Sequence, residues 1–233
     1  MAPENAIPGW YGKLPVLGDF ASRRLPQGLI AAWDTWLQHG MAYSQEHLAA
    51  AWLDCYLHAP VWRFVLGERT LDTQLWAGIV LPSVDRVGRY FPLTLCAALP
   101  AFNFSAGALA ALDEWMFALE DVARAGLDPQ IAVEDFDARL AACPLPLIQS
   151  SPASVFGEAL ARGDIFIPLV APGAGGLPGL LGDVAASASR TLFAHNSLWW
   201  CGNPDGATGG FACHGMPSAA VFASMLQYSP AAP

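Results

Sequence analysis

The sequence predicts an α/β protein, a single-domain three-layer α/β/α sandwich built on a mixed central sheet. Three observations carry this. Within Trp76–Pro100, two apolar runs, Ile79–Leu81 and Tyr90–Leu99, lack period-2 alternation, as strands covered on both faces do. Pro82, Pro92 and the β-branched residues of this stretch argue against a buried helix. On either side of this hairpin, apolar residues recur at helical spacing, so helices are available to cover both faces. Hydrophobic residues make up 54% of the 233 residues and charged ones 13%, enough to bury a sizeable core. We read residues 1–233 as one domain, with an ordered core over 8–228 and short flexible termini.

In chain order, Gly9–Pro15 reads as a first strand and Val16–Phe20 as a Gly-Asp turn. Lys13, Asp19, Arg23 and Arg24 then form a charged loop beside a short strand. A helix starts at Gln27, with Leu29, Ile30, Trp33, Trp36, Leu37 and Met41 on its buried face. Ser44 is the expected N-cap of a second helix, with Glu46 in its first turn. Leu48, Trp52, Leu53, Tyr56 and Leu57 are its apolar positions, and Pro60 ends it. Val61–Leu66 reads as a strand in which Arg63 must be exposed or paired. Six of the nine tryptophans lie at or before residue 76. At helical spacing such a stripe is core rather than ligand site.

Beyond the hairpin, Ser105 is expected to cap a long helix burying Leu109, Leu112, Trp115, Leu119 and Val122, with Gly126 as its C′ residue. Asp128 and Pro129 read as N-cap and N1 of a further helix with Val133, Phe136 and Leu140 inside. A short helix over Ser151–Gly163, a strand over Ile165–Val170 and a weak helical signal over Leu180–Ser189 come next. A strand over Leu192–Cys201, a turn at Asn203–Gly206, a short strand over Gly210–Cys213, a last helix with Pro217 at N1 and a frayed tail over Ser229–Pro233 complete the reading.

Charge and composition exclude several classes. Net charge is −9 and the pI is near 4.8, which argues against a nucleic-acid footprint. The asymmetry is marked: residues 1–90 hold 7 basic and 8 acidic residues, residues 91–233 hold 4 and 12. That distribution suits an electrostatically guided protein partner or a solvated helical face. No run of about 18 apolar residues is free of Gly, Pro or charge, so no membrane insertion is expected. The start has neither a basic n-region nor an apolar h-region, so no signal peptide is expected. Five scattered cysteines fit buried free thiols in a reducing cytosol.

Chemical motifs are sparse. The glycine-rich Pro172–Gly182 fails as a phosphate loop, because Pro178 stands where a third glycine is needed and no Gly-Lys-Ser/Thr ending follows. No Gly-x-Ser-x-Gly occurs, and the histidines are dispersed. His214 with Cys201 or Asp205 lacks metal-ligand spacing, so neither metal nor cofactor is expected. What remains is charge concentrated in loops: Asp19, Arg23 and Arg24 in the first, and Asp85, Arg86 and Arg89 in the segment Ser83–Arg89 between the central strands. Arginines close to each carboxylate keep it ionised, which favours recognition or loop organisation over acid catalysis. The two loops are expected to lie together at one end of the sheet, with Asp19 and Asp85 orienting arginines.

Four stretches resemble one family. Gly9-Trp-Tyr-Gly-Lys-Leu-Pro15 with Gly18-Asp-Phe20, Pro60–Phe64, Pro82-Ser-Val-Asp-Arg-Val-Gly-Arg-Tyr-Phe-Pro-Leu-Thr94 and Ser197-Leu-Trp-Trp200 are similar to the TagF (ImpM-type) family of accessory proteins of bacterial type VI secretion systems. The resemblance is strongest through Pro100 and at Trp199-Trp200. It implies a three-layer α/β sandwich and a cytoplasmic, non-enzymatic protein that represses secretion post-translationally by binding a scaffold protein with a forkhead-associated (FHA) domain. Two alternatives stand beside it: a hydrolase using Asp19 and Asp85, and an anion or small-ligand sensor using Arg23, Arg24, Arg86 and Arg89.

Overall fold

The structure is a computed structural model that describes residues 7–99, 106–146, 193–202 and 208–228, with 189 and 191. Its elements are β1 (Gly9–Gly12), β2 (Ala21–Arg23), α1 (Gln27–Leu48), α2 (Trp52–His58), β3 (Trp62–Leu66), β4 (Leu75–Leu81), β5 (Leu93–Leu99), α3 (Ala106–Gly126), α4 (Val133–Ala141), β6 (Asn196–Gly202), β7 (Thr208–His214) and α5 (Ala219–Gln227). The expected Ser105 cap, the helices over 151–163 and 180–188, the strand over 165–170, the glycine-rich stretch over 172–182, the 203–206 turn and the 229–233 tail lie outside the described residues.

The strands form one seven-stranded sheet in the order β2-β1-β5-β4-β3-β6-β7. The expected central hairpin is there: β4 and β5 pair from Leu75↔Leu99 to Leu81↔Leu93, with β4 in the middle of the sheet. Every residue of β4 is buried, as its unalternating apolar sequence requires. Every described strand pair is antiparallel, which corrects the expected mixed sheet for the described strands. The eleven-residue connection over 82–92 returns the chain from β4 to its neighbour β5 as a hairpin, which makes that pair antiparallel.

Two apolar layers flank the sheet. On one face, Ile79, Leu93, Leu95 and Val65 meet Leu112, Trp115, Met116 and Leu119 of α3 and Phe136 and Leu140 of α4. On the other, Trp62, Phe64, Trp76 and Trp199 meet α1, α2 and the Phe222–Leu226 turn of α5. The tryptophan stripe is core, as the sequence reading has it. Trp33 lies 4.8 Å from both Trp36 and Phe64, ring to ring. The indole N–H groups find acceptors: Trp33 donates to Thr94 Oγ1 at 2.8 Å and Trp36 to the Pro217 carbonyl at 2.8 Å. Such partners are what allow buried indoles without an unmade hydrogen bond.

Local differences from the sequence reading each have a cause. Ser44 is interior to α1, not an N-cap. Its hydroxyl donates to the Met41 carbonyl and accepts from Trp52 Nε1 at 2.9 Å, so tertiary contact outbids the capping signal. The chain bends instead at Ala49, whose φ is 45°. Leu53 and Leu57 face solvent, since α2 buries only Trp52 and Tyr56. Leu109 is at the exposed margin of α3. Gly126 ends α3 without positive φ and instead leaves room for the Phe136 ring. Asp128 caps a turn, accepting from Gln130 N at 2.9 Å, and α4 begins only at Val133. Ser218, not Pro217, bounds α5, its side chain accepting from Val221 N. The first strand stops at Gly12 and its β6 counterpart starts at Asn196.

Candidate functional site

The Ser83–Arg89 loop is fixed at its base before it reaches solvent. Tyr56 of α2 donates from its hydroxyl to the Ser83 carbonyl at 2.8 Å and accepts from Ser83 N at 3.0 Å. Ser83 Oγ donates to the Lys13 carbonyl at 2.7 Å. Above this base the loop closes tightly: Gly88 N donates to the Asp85 carbonyl at 3.0 Å and Asp85 N to the Arg89 carbonyl at 3.1 Å. The turn needs φ +85° at residue 88, a conformation that glycine adopts without penalty.

Asp85 organises the loop from inside. Its side chain is fully buried. Lys13 Nζ donates to Oδ2 at 2.8 Å, Arg89 Nε to the same oxygen at 2.7 Å, and the backbone N–H groups of Val87 and Arg89 donate to Oδ1. Burial pushes this carboxyl up, but the hydrogen bonds from Lys13, Arg89 and Val87 outweigh it and hold it well below the usual carboxylate range. It is therefore a permanent anion, and its lone pairs are spent on the loop.

The Val16–Phe20 turn packs directly against this loop, as expected. Arg86 N donates to the Leu17 carbonyl at 2.8 Å, and Arg89 Nη2 donates to the Gly18 carbonyl. Gly12 lets β1 approach here: at φ +137°, any Cβ would run into the Pro92 carbonyl at the start of β5. Asp19 is placed otherwise than expected. It accepts from Phe20 N at 2.8 Å and pairs with no arginine among the described residues. Arg86 is exposed, and among the described residues its side chain makes no hydrogen bond or ion pair. Beside it, Val87 is 65% exposed and Phe20 44%. The Phe20 ring stands edge-on to Phe91 at 4.8 Å and lies under Lys13 Nζ.

Arg23 and Arg24 do not join this platform. They reach Asp137 of α4, Arg23 through Nη1 to Oδ2 at 2.9 Å and Arg24 through Nη1 to Oδ2 at 2.8 Å, while Trp10 Nε1 donates to Oδ1 at 3.1 Å. Arg24 takes φ 62° to do so and also donates from Nε to the Pro8 carbonyl. The hydrogen bond from Arg24 lowers the Asp137 carboxyl most, burial works against it, and Arg23 and Trp10 add to the lowering. This cluster clamps the β1–β2 hairpin to α4. The sequence reading missed Asp137, although it lies four residues after Val133 and three before Leu140, on the helix stripe assigned to the core.

A third polar cluster joins the sheet to α3. Arg63 of β3 donates from Nη2 to Glu120 Oε2 at 2.8 Å, and Arg124 donates to Oε1 of the same residue. The half-exposed Phe117 ring covers the Arg63 guanidinium at 3.9 Å. Glu120 and Arg124 also line an open cleft of about 670 Å³ with Asp54, His58, Leu226 and Tyr228. Among the described residues no group of three or more His, Cys, Asp or Glu side chains is placed to hold a metal ion. No described helix is long and apolar enough to cross a membrane.

Comparison with known proteins agrees with this layout. The model of the TagF N-terminal domain, type VI secretion system-associated, matches residues 9–143, which span both loops and the Asp137 clamp. The crystal structure of PA0076 from Pseudomonas aeruginosa PAO1 superposes with a TM-score of 0.75 at 34% sequence identity, covering 97% of each chain. No curated protein matches this chain. The chain belongs to the TagF family of type VI secretion system-associated proteins.

Proposed function

We propose that this protein is a non-enzymatic, cytoplasmic repressor of the type VI secretion apparatus that acts by binding an FHA-domain scaffold protein. The observation that carries this reading is the double-loop platform. The Ser83–Arg89 loop is locked from below by Tyr56, Lys13 and Asp85, yet presents Arg86, Val87 and Phe20 outward. Arginine and aromatic side chains on a pre-organised support are the composition of protein-binding hot spots. Because the loop is already ordered, binding forfeits little conformational entropy there. The hydrolase alternative finds no support at the loop carboxylates: Asp85 is enclosed by its cations and Asp19 caps its own turn.

The test is affinity between the purified chain and the FHA scaffold, measured by calorimetry, beside secretion by cells that overproduce the chain. Binding in the micromolar range or tighter, with secretion suppressed, is the expected result. A folded chain that binds no scaffold and leaves secretion unchanged overturns the reading.

A further inference from the structure

We propose that His195 and His214, brought together where β6 and β7 meet, form a two-imidazole site for an exchangeable zinc ion. The sequence reading set His214 aside because neither Cys201 nor Asp205 stands at ligand spacing; the fold supplies His195 instead. His195 sits in the turn just before β6, and His214 is the last residue of β7. Gly215 N donates to the His195 carbonyl at 2.7 Å, and Asn196 pairs with His214 in the ladder. The carbonyls on either side of His195 are also tied down, Ala194 by Arg69 N at 2.7 Å and Asn196 by Gly67 N at 2.9 Å. Both imidazoles therefore stand on fixed backbone. On a regular ladder their side chains would leave opposite faces. The turn at residue 195 frees His195 from that alternation, and the two ring centroids lie 5.9 Å apart.

That separation fits one ion. A zinc–nitrogen bond of about 2.0–2.1 Å puts the metal about 3.2 Å from each ring centre, so two imidazoles on one zinc have centres about 4.5 Å apart at a right angle and about 6.4 Å apart when opposed. The observed 5.9 Å falls between, and zinc, which has no directional preference from its d electrons, accepts an intermediate angle. The ring planes are 29° apart, and a turn about the soft χ2 of each exposed ring aims one nitrogen of each at the space between them. The ligand atoms are free: both rings are exposed and, among the described residues, neither makes a hydrogen bond or ion pair. His47 and His58 differ, each engaging through Nδ1 the carbonyl four residues before it. Two protein ligands leave the other positions to water, so the ion exchanges rather than holding the fold together. The site is independent of the partner-binding reading. β6 starts beside the end of β3 (Leu66↔Ser197), whereas the Ser83–Arg89 loop follows the end of β4, beside the start of β3 (Trp62↔Val80). The two therefore lie at opposite ends of the sheet.

The test titrates the full, reduced chain with zinc chloride at about pH 7.5, where imidazole is free to ligate, and reads binding by calorimetry and the histidine ring resonances by NMR. One saturable site with Kd below about 100 μM is expected, with the His195 and His214 resonances shifting together and the thermal midpoint rising with zinc. His195→Gln and His214→Gln, both at exposed positions, are each expected to weaken binding about tenfold or more, and the double variant little further, because chelation needs both rings. His39→Gln, at an exposed position of α1, is expected to leave it unchanged. No saturation below about 1 mM zinc, a shift confined to one of the two rings, or full-strength binding by both single variants overturns the proposal.

Discussion

Arg63 of β3 and Glu120 of α3 meet at 2.8 Å, and the Arg63 side chain is 3% exposed. A strand residue flanked by Trp62 and Phe64 thus carries full charge into the layer between sheet and helix. Among the described residues its Nε finds no hydrogen-bond acceptor, so the cation is incompletely compensated. Removing Glu120 strands it further. Glu120→Ala is expected to cost about 3–5 kcal/mol. Arg63→Met, which removes the buried charge and leaves Glu120 with Arg124, is expected to cost much less. Urea unfolding of the two variants decides the order, and equal costs would show that packing against Phe117 dominates.

Acid sensitivity follows from Asp137. Its folded carboxyl sits well below the usual carboxylate range, and that of the unfolded chain near 3.8. Its contribution is complete above about pH 4 and is lost as pH falls from there toward the folded value. Asp137→Asn is expected to lower stability at pH 7 and to flatten the loss between about pH 4 and pH 2. Thermal midpoints measured across that range check it, and parallel curves for the two proteins contradict it.

The two loop arginines separate in stability. Arg86→Ala removes no pair and is expected to shift unfolding by no more than about 0.5 kcal/mol. Arg89→Ala removes ligands of both Asp85 and the Gly18 carbonyl and is expected to destabilise more than Arg86→Ala does. Calorimetric unfolding of both variants measures this, and a larger loss for Arg86→Ala would refute the assignment of roles.

Thiol reactivity is graded by burial. Burial pushes the Cys96 thiol up to about 12. Burial also raises Cys201, to about 11, with Arg63 working against it. Thiolate is the reactive form, so iodoacetamide at pH 8 is expected to modify half-buried Cys55 and Cys213 well before Cys96 and Cys201. Peptide mass spectrometry over a time course reads the order.

Much of this architecture was legible from periodicity. Ile79–Leu81 and Leu93–Leu99 announced central strands because burial on both faces erases alternation, and Trp33, Trp36 and Leu37 announced a helix face. Loop proximity was also legible, since apolar strands fix where Gly18 and Arg86 emerge. Charge pairing was not. Arg23 and Arg24 find Asp137 across 114 and 113 residues, and nothing local distinguishes that carboxylate from its solvated neighbours Glu134 and Asp135. Ser44 misled for a related reason: its capping chemistry is real, but Trp52, eight residues on, claims the hydroxyl.

The Asp137 clamp also sets an order of events during translation. Trp10 leaves the ribosome 127 residues ahead of the carboxylate that accepts its indole N–H, roughly 6–25 s at the usual rates of synthesis. β1 cannot enter the sheet sooner than β5, its inner neighbour, has been made. For that interval its indole N–H and the two guanidiniums behind it lack the carboxylate that joins them in the folded chain. Ribosome-bound chaperones that cover apolar segments therefore have their longest window at the β1–β2 hairpin, and the window shuts when α4 clears the exit tunnel.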